Sequence, residues 1–213
     1  MNASLPRVVL VPGLGLDARS SAALRRRRPA NVVLLPGSGL AEAVPSLDAL
    51  AARLLDVLRG PVVLVGHSQS CQVVAAAARD PQVVAVVLLG PTTDPRMRSA
   101  LVLTWRWLRT AAREPWWQAP LVVAQWWHTG PRAMRALWRR AAPDRIDQRL
   151  AGVTVPVVVV RGLRDRLCPH DWAVRLSAAA PKGRLVEIPG AAHMTVQTHP
   201  DAVAAVLAEV CGS

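Results

Sequence analysis

Pro61-Val62-Val63-Leu64-Val65-Gly66-His67-Ser68-Gln69-Ser70, followed by the apolar stretch Gln72–Arg79, is the passage on which the reading of this chain turns. The short β-branched run Pro61–Val65 has the composition of a buried strand, and Gln72–Arg79 carries apolar residues at helical spacing. Ser68 therefore falls where a strand turns sharply into a helix. Gly66 leaves room beside such a turn, and the helix N-terminus offers free N–H groups and the positive end of its dipole to developing negative charge. A short string of this kind means little alone. Its place after a strand and before a helix gives it weight.

The same rhythm extends in both directions. Arg7–Val11, Val32–Leu35, Val83–Leu89, Val155–Val160 and Arg184–Ile188 read as further buried strands, and Ser46–Leu58, His170–Ala179 and His199–Val210 as helices. Strand and helix in alternation predict an α/β fold with a doubly wound, mostly parallel sheet of about six strands. The interval 92–151 breaks the rhythm, being far longer than a single crossover needs. It is expected to be an inserted helical subdomain, with the core formed by 1–91 and 152–213. Seven of the eight tryptophans fall there (Trp105, Trp107, Trp116, Trp117, Trp126, Trp127, Trp138), and eleven arginines face three acids between Arg96 and Arg149. Two-thirds of the net charge of +12 thus belongs to one segment.

Composition bounds the function. With 52% apolar residues the chain can build a sizeable core, which excludes a disordered, collagenous or repeat protein, and with no Phe or Tyr that core must be Val, Leu and Ala. No apolar run reaches the eighteen or so residues of a membrane span, and the start has no signal-like ending. A soluble, cytoplasmic protein without stable membrane insertion is expected. Cys71, Cys168 and Cys211 show neither disulfide nor zinc spacing, so no metal site is expected and the cysteines read as buried apolar residues. The basic balance permits anionic partners. No helix-turn-helix, zinc-finger or RNA-binding signature accompanies it, so nucleic acid is not expected as a partner. The run Arg25–Arg28 reads as a solvated helix end.

A serine hydroxyl is a poor nucleophile near neutral pH and needs a histidine base oriented by a carboxylate. Asp165 lies in Arg161-Gly162-Leu163-Arg164-Asp165-Arg166-Leu167-Cys168-Pro169 after one strand, and His193 in Pro189-Gly190-Ala191-Ala192-His193 after the last. In a parallel sheet the carboxyl ends of the strands share one edge, so these loops converge with Ser68. Asp94, after the strand ending at Leu89, is the rival orienting acid. His67 reads as a packing neighbour, and His128, His170 and His199 as structural or solvent-facing. Asp17 and Asp171 read as helix caps.

With these motifs the sequence resembles the α/β-hydrolase fold family, in a compact, serine esterase- or lipase-like form, over nearly its whole length. The resemblance implies a catalytic triad of Ser68, Asp165 and His193. Val11-Pro12-Gly13-Leu14-Gly15-Leu16-Asp17 resembles the family's oxyanion loop, which implies the backbone N–H groups of Leu14 and Gln69 as oxyanion donors, worth about 3–4 kcal/mol each. The Trp-rich interval corresponds to a helical cap. Ser70 stands where the family usually has Gly, so crowding is expected at that turn. The sequence starts directly at the strand carrying the oxyanion loop, so the antiparallel strands that open larger members are not expected, which implies a minimal sheet of about six strands.

The implied activity is hydrolysis of an ester or related acyl bond of a small hydrophobic substrate through an acyl-enzyme, without cofactor. Serine at the elbow argues against the haloalkane dehalogenase and epoxide hydrolase branches, which place Asp there. C–C bond hydrolysis, cofactor-free peroxidation and acyl transfer use the same triad, and a non-catalytic small-molecule-binding protein is the alternative of a different class. The tryptophans admit three roles: cap packing, pocket lining and contact with a membrane interface. Trp105, Trp117 and Trp127 are the expected substrate contacts. One member of each pair, Trp116-Trp117 and Trp126-Trp127, should reach an edge or mouth. The basic segment also raises the possibility of anionic amphipathic substrates.

Overall fold

The computed structural model describes residues 5–97 and 99–212. In chain order it contains β1 (Arg7–Val11), α1 (Ala22–Arg27), β2 (Asn31–Val32), β3 (Leu35–Pro36), β4 (Gly39–Leu40), α2 (Leu47–Asp56), β5 (Val62–His67), α3 (Cys71–Ala77) and β6 (Val83–Leu89). Then follow α4 (Ala100–Ala111), α5 (Ala119–Thr129), α6 (Pro131–Ala141), α7 (Ile146–Leu150), β7 (Val157–Gly162), α8 (His170–Ala179), β8 (Gly183–Ile188), α9 (Thr195–Thr198) and α10 (Pro200–Cys211). The main sheet has six strands in the order β2-β1-β5-β6-β7-β8, and each neighbouring pair is parallel.

Side chains alternate across a strand, so each apolar run feeds two cores. Val9, Val11, Leu64, Val86, Leu88, Val157 and Val159 face one side, where Leu50 and Leu54 of α2, Val74 of α3 and Leu176 of α8 cover them. Val8, Leu10, Val63, Val65, Val87, Leu89, Val158 and Val160 face the other, against Leu24 of α1 and Val203 and Leu207 of α10. Burial on both faces is why β5 and β7 read as continuous β-branched runs. Local chemistry sets the helix ends: Ser46 Oγ accepts the Ala49 N–H at the start of α2, and Gly212 in the left-handed conformation ends α10.

The expected strand Val32–Leu35 is corrected. Only Asn31 and Val32 pair with β1; Leu35 and Pro36 form a separate two-stranded unit with Gly39 and Leu40. Pro36 lacks an N–H, and Gly37 and Gly39 take positive φ, so the chain turns away from the sheet edge. Between β6 and β7 the chain is helical. Gly130, at positive φ, and Pro131 separate the apolar helix α5 from the amphipathic, arginine-rich helix α6. At the end of that interval Ile146 and Leu150 of α7 pack into the main core.

Candidate active site

At the end of β5 the chain tightens into a 3-10 turn, Ser68–Ser70, before α3. Ser68 is held at a φ of 55°, a left-handed value that is strained for a residue with a Cβ. The turn closes because Gly66 and Gly13 carry no side chain. A Cβ on Gly66 would lie 2.9 Å from Cys71 Cα, and one on Gly13 would lie 3.1 Å from Ser68 Cβ. Ser70 is accommodated by donating its hydroxyl to the Pro12 carbonyl and lying 3.2 Å from Ser38 Oγ. It thereby ties the turn to the loop after β1.

His193, in the loop after β8, meets this turn. Its Nε2 lies 2.9 Å from Ser68 Oγ, and its Nδ1 2.7 Å from Asp165 Oδ2. The other carboxylate oxygen of Asp165 accepts the N–H groups of Leu167 and Cys168, at 2.8 and 3.1 Å. Asp94 does not compete for His193, because its buried carboxylate is forked by the Arg96 guanidinium, which also reaches Asp171. Burial works against the charged form of His193, but the charge and hydrogen bond of Asp165 and the charge of Glu114 outweigh it, raising its pKa above the ordinary 6.5. His67 differs: burial first, and the charge of His193 second, push its pKa down to about 3. Its ring stacks 5.3 Å from that of His193 as a neutral neighbour. Burial raises the Cys71 thiol well above its usual range, in keeping with a packing role.

A cavity of about 430 Å³ opens over Ser68 and His193, and Leu14 and Gln69 lie in its wall. Leu103, Val122, Trp107, Trp126 and Trp138 make most of the rest apolar. The expected contacts Trp105, Trp117 and Trp127 are corrected. They are 61%, 51% and 88% exposed and lie outside the cavity wall. Trp107 and Trp126 take the inward positions, their rings 5.7 Å apart. Among the described residues no arginine lines the cavity, and its one carboxylate is Glu114.

The sequence matches the profile of the alpha/beta hydrolase family over residues 8–206. The chain belongs to the alpha/beta hydrolase family. Among solved structures it is similar to a hydrolase from Oleispira antarctica, at 14% identity and a TM-score of 0.80, covering 99% of this chain and 92% of that one. A thermophilic esterase is 20% identical with a TM-score of 0.73, covering 98% of this chain and 92% of that one. MenH from S. aureus is 16% identical with a TM-score of 0.74, covering 98% and 94%. At these identities the likeness is one of fold. Among curated proteins, none matches the sequence.

In this alpha/beta hydrolase several residues that shape the site carry no motif. Gly90, at a φ of 55°, leaves room for the histidine and acid together, since a Cβ there would lie 3.0 Å from His193 Nδ1 and 3.2 Å from Asp165 Oδ2. Arg161 is buried at the end of β7; it donates to the carbonyls of Cys168 and Asp165, at 2.7 and 3.1 Å, and pairs with Glu187. It braces the whole acid loop. From the other side, Thr110 Oγ1 accepts the Arg166 N–H at 3.1 Å and Glu114 Oε1 accepts the Met194 N–H at 2.7 Å. The end of α4 and the turn after it therefore grip both the acid loop and the histidine loop. On α5, Gln125 accepts the Asp17 N–H and Thr129 donates to the Gly15 carbonyl, while Trp126 packs where a Cβ on Gly15 would stand. Each of these positions depends on contacts between distant segments.

Proposed function

We propose that this alpha/beta hydrolase is a serine esterase acting on small, uncharged, largely hydrophobic acyl substrates. The observation that carries the reading is the unbroken hydrogen-bonded chain from Ser68 Oγ through His193 to Asp165, opening onto an apolar cavity. In this scheme His193 Nε2 takes the Ser68 proton as Oγ attacks the acyl carbon. The oxyanion is received by the backbone N–H groups of Leu14 and Gln69; the neighbouring N–H groups of Gly15 and Leu16 are already committed to the Gly37 and Gly13 carbonyls. The C–O bond to the leaving group breaks, and the departing alcohol takes the proton from His193. Water then attacks the acyl-enzyme, giving its proton to His193, and the acid is released as Ser68 recovers its proton. Each step balances with these residues and water alone. The segment 92–151 serves as a cap that supplies the apolar wall and excludes bulk water, with α7 as its foot in the core.

The test is intact mass after incubation with a fluorophosphonate, on the wild type and on folded Ser68→Ala and His193→Ala. A single adduct on the wild type, absent from both variants, supports the scheme. Hydrolysis of p-nitrophenyl esters should fall about 10⁴- to 10⁶-fold in Ser68→Ala. A folded wild type that takes no adduct and cleaves no ester in a chain-length series would overturn it.

A further inference from the structure

The cap carries a second surface that the proposed reaction does not use. Along α4, Leu101, Trp105 and Leu108 recur at helical spacing on the face turned away from the cavity, and Leu101 is 84% exposed. On the next two elements Trp116 is 85% exposed, and Trp117, Val123 and Trp127 are exposed as well. α4 and α5 both turn their inner faces to the cavity over the sheet edge, where Trp107 meets Trp126. Their outer faces therefore point away from the core. Trp116 and Val123 belong both to the cavity wall and to the exposed set, so they mark the cavity mouth within this apolar surface.

Charge selects the occupant. Arg109, Arg113, Arg132, Arg135, Arg139 and Arg140 are exposed and form no ion pair among the described residues, whereas Arg96, Arg145 and Arg149 are each spent on aspartates. Arg109 lies over the Trp105 ring at 5.6 Å, an indole and guanidinium stacked at the surface. A second copy of the chain would bring the same uncompensated positive charge against itself. An anionic bilayer surface instead takes the indoles and leucines into its headgroup boundary and the guanidiniums onto its phosphates. We propose that the outer face of α4, the Trp116-Trp117 turn and α5 dock this protein reversibly on anionic lipid surfaces, with the cavity mouth facing the lipid. Docking stands independently of the reaction; delivery of lipophilic substrate from the bilayer to Ser68 rests on the esterase reading.

The experiment uses the full chain with vesicles of phosphatidylcholine alone and of phosphatidylcholine mixed equally with phosphatidylglycerol, read by co-sedimentation and by quenching of tryptophan emission by brominated lipid. Binding to the anionic vesicles is expected to be at least about ten-fold tighter and to weaken as salt rises. A Trp105→Ser, Trp127→Ser double variant should lose quenching and most binding, and an Arg109→Glu, Arg113→Glu double variant should lose at least about ten-fold in affinity. Both should retain the wild-type circular dichroism and fluorophosphonate labelling. Equal binding to the two vesicle types, anionic binding unaffected by the tryptophan variant, or a concentration-dependent dimer that buries Trp105 and Trp127 would each overturn the proposal. Vesicle binding by a protein that takes no fluorophosphonate would uphold docking while the esterase reading fails.

Discussion

Asp165 is satisfied on one oxygen by two backbone N–H groups and aims the other at His193, so its removal changes the tautomer of the histidine more than the shape of the site. Asp165→Asn is expected to lower kcat on a p-nitrophenyl ester by about 10⁴-fold while leaving KM and the circular dichroism close to wild type. Glu114 acts at one remove: it holds the Met194 N–H beside His193, and its charge is one cause of the raised His193 pKa. In the proposed scheme the reaction needs neutral His193, so kcat/KM should fall as pH drops through a value above 6.5. Glu114→Gln removes one raising influence and should move that acid limb to lower pH. A pH profile of kcat/KM checks the sign; a limb that stays in place or moves upward would remove Glu114 from the electrostatics of the base.

At the scale of elements, the loops after β7 and β8 are held from two sides. Arg161 grips the acid loop from inside the core, and the end of α4 grips it from above. Arg161→Met would leave the Cys168 and Asp165 carbonyls without their buried donor and Glu187 without its guanidinium. It should cost about 3 kcal/mol of unfolding free energy by urea titration, and lower kcat as the acid loop loosens. A change below about 0.5 kcal/mol would show that the loop is fixed by its backbone bonds alone. The same contacts couple α4 and the turn after it to the core, since Thr110 reaches the loop after β7 and Glu114 the loop after β8.

At the scale of the whole molecule, charge and cavity are separated. Two-thirds of the net charge of +12 lies on the segment 92–151, and the cavity keeps a single carboxylate among its described lining residues. The chemistry of the cavity therefore opposes the expectation of anionic substrates raised by composition. A neutral ester should exceed a carboxylate-bearing ester of equal length by at least about ten-fold in kcat/KM, and Glu114→Gln or added salt should narrow the gap. Equal rates at low salt would show that Glu114 does not screen substrates.

The parallel sheet and the convergence of Ser68, Asp165 and His193 were legible in the sequence, because two-sided burial writes β-branched runs and a parallel sheet gathers its strand ends at one edge. The sequence also located the helical interval, though it could not orient it. Trp105, Trp117 and Trp127 are indistinguishable in composition from Trp107, Trp116, Trp126 and Trp138, and which of them face the cavity follows from how α4 and α5 sit on the sheet edge. Val32–Leu35 had the composition of a full strand, yet Pro36 and the positive-φ glycines turned it aside after two residues. Gly90, Arg161, Thr110 and Glu114 acquire their roles from neighbours distant in sequence. Tertiary structure alone decided these roles, since a hydrogen bond or a missing Cβ has consequence only once packing brings its partner within a few ångströms.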